Sequence, residues 1–249
     1  MSDEKTTARR DFLGQVAASA IVLAGAACAT PAATATQAAP VPAGPAPTAQ
    51  SNGGGGPLPQ APSTWDDSWF GKLTAKHKAV FDSPNIDGGN VLSHASGYIR
   101  GMHDALGAGE NDVQTVIVLR HIAIVMFLND AMWSKYDLGK LRNVKEEGTE
   151  RWATTNPFAG AVTTRPAAGT ADRPQATLNW FGSRGHIVLG CDLATRNLSG
   201  VLARQVKGES RAVYEELKAN TIGGVILQPT GVYGCLRAQE AGCGFFKST

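Results

Sequence analysis

An excess of charge of either sign is absent: 23 Lys and Arg residues face 21 Asp and Glu, a net +2 at neutral pH. A balance that small gives no electrostatic reason to expect nucleic acid, and no basic cluster with interleaved aromatics is present. Histidine is scarce. The five residues His77, His94, His103, His121 and His186 contain no i, i+4 pair, and only His186 lies within a few residues of a cysteine, so no metal site is expected. The chain also lacks a G-x-G-x-x-G turn, a P-loop and a G-x-S-x-G elbow, which leaves it without a nucleotide or hydrolase signature and with no cofactor evident. Cysteine is limited to Cys28, Cys191, Cys235 and Cys243, and no C-x-x-C spacing occurs.

What is present begins with residues 1–29, which combine a charged start, an arginine pair, a short apolar stretch and a run of small residues. Arg9, Arg10, Asp11, Phe12 and Leu13 read R-R-x-F-L and resemble the twin-arginine export signal. That resemblance implies a protein folded in the cytoplasm and exported to the periplasm. A lipid anchor through Cys28 is the lesser alternative, because Gly25 stands where a lipoprotein signal carries leucine. Residues 30–64 are a Pro, Ala and Gly mixture with no apolar period to bury, and read as a disordered spacer.

The folded domain is expected over 65–249. Short branched-apolar runs at 78–82, 113–121, 186–191, 224–229 and 243–247 read as strands, and the run at 113–121 is continuous enough for a buried parallel strand. Helical patterns fall at 91–106, 123–136, 176–182, 193–204, 210–220 and 232–242. Between 140 and 173 the pattern lapses, which reads as a long irregular insertion. Strands alternating with helices predict an α/β domain: one layer of mostly parallel strands with helices on both faces.

In such sheets ligands collect beyond the carboxyl ends of the strands. His121, Cys191 and the turn carrying Thr230 and Gly231 fall at those ends, with Asn129 a further polar candidate nearby in sequence. A thiol where a strand meets a helix has its thiolate stabilised by the helix dipole and by unpaired N–H groups. Cys191 is thus read either as a nucleophile or as a small buried packing residue. Asp192 beside it would oppose the thiolate if ionised. Cys235 is either a resolving partner for Cys191 or, with Cys243, filler between helix and sheet.

The order of elements, with the segments DVQTVIVLRH, HIVLGCDLA and GVILQPTGVYGCLRAQEAGCGFF, resembles the DsrE/DsrF superfamily over roughly residues 78–246, the 140–173 insertion excepted. The resemblance implies a DsrE-like, flavodoxin-like sheet and a homo-oligomer. It also implies a sulfur carrier or thiol redox protein in which Cys191 holds the persulfide position, working with a sulfur donor or acceptor protein or with a small molecule. The alternative expectation is a periplasmic small-ligand-binding or assembly protein in which Cys191 is structural.

Overall fold

The computed structural model describes residues 59–62, 64–160 and 176–249. The expected export signal, most of the spacer and the last part of the insertion lie outside the described residues. Five strands, β1 (His77–Ser83), β2 (Val113–Leu119), β3 (Ile187–Cys191), β4 (Val225–Gln228) and β5 (Gly244–Lys247), form one sheet in the order β4-β3-β2-β1-β5. Every pairing is parallel. The expected α/β class is therefore observed.

Seven α-helices accompany the sheet among the described residues: α1 (Asn90–Leu106), α2 (Asp130–Lys135), α3 (Leu138–Leu141), α4 (Leu178–Ser183), α5 (Asp192–Val206), α6 (Ser210–Ala219) and α7 (Gly231–Glu240). Side-chain alternation along β2 explains how two layers are filled from one strand. Ile117 and Leu119 join the larger core with α1, α4 and α5, whereas Val116 and Val118 join a smaller core with Trp69, Cys235, Ala238 and Cys243. All four β2 side chains are fully buried, and each such aliphatic burial contributes about 1.5–3 kcal/mol. After β4 the chain returns through α7, which packs across β1, β2 and β3 on the smaller-core side before β5 docks beside β1.

Two expectations need correction. Residues 123–136 do not form one helix: a 3-10 helix over His121–Phe127 is followed by extended Leu128 and then α2. Ala123 to Leu128 are all completely buried, and an element apolar on every side has no solvent face to set the α-helical period. The freed carbonyls of Met126 and Leu128 are satisfied instead by Asn156 Nδ2, each at 2.7 Å. The insertion is accordingly not featureless. Asn156 Oδ1 also accepts from Phe158 N–H at 2.8 Å, an antiparallel bridge joins Lys145 to Trp152, and Phe158 enters the larger core.

Close packing beneath the end of β3 leaves room only for glycine at position 190. A Cβ there would lie 2.7 Å from the Phe127 ring and 2.8 Å from Leu227. Gly190→Ala is expected to cost about 1–3 kcal/mol by overpacking, read as a lower urea midpoint with an unchanged denaturant slope.

Candidate functional site

The sheet order reverses at β1, since β2 to β4 add on one side of it and β5 on the other. The carboxyl end of β1 is therefore the topological switch point at which open α/β sheets place ligands. Asp82 stands there, 4 % exposed. One residue past the end of β2, Arg120 closes a two-pronged ion pair with it, Nε to Oδ1 at 2.6 Å and Nη2 to Oδ2 at 2.8 Å. Arg120 is anchored further by its own N–H, which donates to the Ser83 carbonyl at 3.0 Å. Gly231, at the start of α7, makes room for the guanidinium stem: a Cβ at that position would lie 2.5 Å from Arg120 Cβ.

Cys191 ends β3 and caps α5. Its Sγ accepts the Ala194 N–H at 3.4 Å, and its side chain packs with the larger core at 6 % exposure. A thiolate strengthens such a bond, because hydrogen bonds to ionised acceptors are stronger than neutral ones. The Asp192 side chain is engaged elsewhere. That carboxylate, fully buried, accepts from Tyr214 Oη at 2.6 Å and pairs with Arg196 Nε at 2.7 Å, so it belongs to the α5–α6 contact. Burial and the Asp192 hydrogen bond in turn push the Tyr214 phenol far above its ordinary value.

Both Cys191 and Cys235 lie within electrostatic reach of Arg120, whose proton is held mainly by its hydrogen bond to Asp82. The two thiols differ in setting. Cys235, on the first turns of α7, is buried in the smaller core, and burial together with the Asp82 charge pushes its thiol up to about 12. Cys243 is raised to about 11 by burial, against the opposing charge of Lys78. All three described cysteines are free thiols. Cys235 and Cys243 both pack in the smaller core between helix and sheet.

Of the other expected site residues, Thr230 caps α7, its Oγ1 accepting from Tyr233 N–H at 3.0 Å. His121 follows Arg120 at the strand end, exposed and at φ +50°, a left-handed conformation uncommon outside glycine. Asn129 is not brought to this end of the sheet. It caps α2 and donates to Asn220 Oδ1 at 3.0 Å, in the stretch that leads into the start of β4. Sequence reading missed Asp82 and Arg120. Their signal is visible in retrospect as two buried apolar runs, in one parallel register, that end in opposite charges.

His186, at the amino end of β3, serves the core. Its Nδ1 accepts the Thr115 N–H at 3.1 Å, its ring stacks on Trp180, and burial with the nearby Arg184 charge pushes its pKa down to about 4. Because the folded chain binds this proton less readily than the unfolded chain, stability is lost as pH falls from about 6.5 to about 4. Over that window the loss is of order 3 kcal/mol, and urea unfolding at pH 7 and pH 5 should show a smaller pH effect in His186→Gln.

No group of three His, Cys, Asp or Glu side chains suited to a metal occurs among the described residues, and no described helix is long and apolar enough to cross a membrane. The fold and the strand-end residues define a parallel α/β protein with a buried ion pair and a helix-capping thiol at the carboxyl edge. No family model matches the chain, and no curated protein matches it. Among solved structures it is similar to a protein of unknown function, MTH1491 from Methanobacterium thermoautotrophicum, at 14 % identity and a TM-score of 0.33, covering 69 % of this chain and 98 % of that one.

Proposed function

We propose that this chain is an exported DsrE-like sulfur carrier or thiol-exchange protein in which Cys191 is the reactive group. The observation that carries the reading is the position of Sγ. It caps α5 by accepting the Ala194 N–H, within electrostatic reach of a guanidinium that Asp82 and Gly231 hold in place. In the loading step the Cys191 thiolate attacks the outer sulfur of a donor persulfide R–S–SH. A Cys191–S–SH group forms, the donor leaves as R–S⁻, and no external oxidant is consumed. The Ala194 N–H and Arg120 stabilise the anionic sulfur before and after transfer. His121, exposed and next to Arg120 in the chain, is the group proposed to move the proton. The partner is a sulfur donor or acceptor of the periplasm, reached through the twin-arginine route.

Glutathione persulfide offered to the folded protein tests this directly. One added sulfur located on Cys191 by mass spectrometry is the expected result, and sulfur on Cys235 or Cys243 alone would refute the assignment. The burial of Cys191 supports a second reading, a non-enzymatic small-ligand-binding protein with a structural thiol. It calls for a protein that takes up no sulfur and is stabilised by a metabolite.

A further inference from the structure

The chain reaches β1 by an arm whose described residues are 59–62 and 64–76. One end of it is fixed on the smaller-core face of the sheet. Trp69 is fully buried there with Val80, Val116, Leu189 and Cys235, the Arg237 guanidinium lies 4.2 Å over the Phe70 ring, and the Lys72 carbonyl accepts from Gln114 Nε2 at 3.0 Å. The other end lies on the opposite face. Pro59 is buried, and its carbonyl accepts at 3.5 Å from Nη1 of Arg196 on α5, the helix that packs into the larger core. The arm therefore crosses from one face of the sheet to the other. The crossing is marked by the Asp66 carbonyl, which accepts from Gln228 Nε2 at 2.9 Å, and Gln228 is the last residue of β4 and the register partner of Cys191.

We propose that the part of the arm ahead of Trp69 is a gate over Cys191, which lifts from α5 and from the end of β4 to admit the sulfur donor and then closes again. The two attachments bracket the thiol. Arg196 stands in the first turns of the helix that Cys191 caps, and Gln228 is level with Cys191 across the β3–β4 pairing. With the arm in place Cys191 is 6 % exposed, too little for a donor sulfur to reach it in line. The hold on the gate is slight compared with the Trp69 anchor. Besides the Pro59 and Asp66 carbonyls it consists of Asp67, whose Oδ2 accepts from Tyr233 Oη at 2.8 Å and lies 3.9 Å from Arg237 Nη2. Closure also leaves Asp67 Oδ1 and Gln228 Oε1 buried with no hydrogen-bond partner among the described residues. Unsatisfied buried acceptors oppose the closed state, and hydration of Asp67 and Gln228 favours the open one. A segment held this weakly opens locally while the sheet stays folded, as lids over reactive groups do.

The gate rests on the reading of Cys191 as the reactive group and supplies its regulation. Two readouts on the full chain test it together: hydrogen exchange in peptides over residues 59–68 reports lifting of the arm, and the rate of alkylation of each cysteine by iodoacetamide reports access. Asp67→Ala and Tyr233→Phe, singly and combined, remove the latch from either side without touching the thiol site. Each is expected to speed exchange over the arm and to raise the Cys191 rate by at least about fivefold, as loss of a hydrogen bond from the closed state allows. Cys235 and Cys243, which share the smaller core with Trp69, are expected to keep their rates. Faster exchange over the arm with an unchanged Cys191 rate would overturn the gate. An arm unmoved even in the combined variant would overturn it as well, because those bonds are then not its latch. A Cys191 that is alkylated faster in the variants but takes up no sulfur from glutathione persulfide in any of them would leave the gate standing and remove the sulfur chemistry instead.

Discussion

Replacement of Cys191 by serine should reduce sulfur loading from a small persulfide to background while the protein stays folded. Serine is among the better helix-capping residues and can take over the Ala194 N–H that Sγ now accepts. The stability change is therefore expected to stay within about 1 kcal/mol, and urea unfolding should confirm an intact cooperative fold. Loss of loading in that variant then reports chemistry, because the backbone around the site is unaltered. Cys235→Ser and Cys243→Ser should load as the wild type does, since burial holds both thiols protonated at neutral pH. Loading that persists unchanged in Cys191→Ser would remove the nucleophile from the account.

The largest effect on stability is expected at Arg120. Truncation to methionine leaves the Asp82 carboxylate buried without its partner, and loss of one member of a buried pair costs about 3–5 kcal/mol. The hydrogen bond from Arg120 N–H to the Ser83 carbonyl is retained in that variant, so the change isolates the guanidinium. A double variant, Asp82→Leu with Arg120→Met, should recover much of the lost stability, because an apolar pair of similar volume avoids the desolvation cost of both charges. The double-mutant cycle in urea measures the coupling. A loss below about 1 kcal/mol in Arg120→Met, the range of exposed pairs, would show that the ion pair is effectively solvated.

Much of the fold was legible in the chain. The apolar runs gave all five strands, and residues 91–106 were readable as a helix because their apolar residues recur at helical spacing, although the helix starts one residue earlier, at Asn90, and is capped by Gly89. The stretch 123–136 was misread since its first half is buried on every side, where hydrophobic periodicity carries no information about helix type. Its path depends on Asn156, some thirty residues away, which no local pattern reveals. At the site, Cys191, Thr230 and Gly231 could be placed from the strand-to-helix transitions alone. Asp82 and Arg120 could not, because their pairing depends on the parallel register of β1 and β2. Asn129 looked available to a ligand, but it was a cap serving α2 and the stretch before β4. The partners of Asp192 were legible only in part: Arg196 one turn on was readable, whereas Tyr214 on another helix was not.

The most direct measurement is the rate at which each cysteine is alkylated in the folded protein, with adducts located by mass spectrometry at neutral pH. Cys191 is predicted to react at least about tenfold faster than Cys235 or Cys243, because burial holds those two thiols protonated whereas Cys191 Sγ caps a helix by accepting the Ala194 N–H. A Cys191 that is labelled only after unfolding would contradict the account and leave its thiol a packing residue.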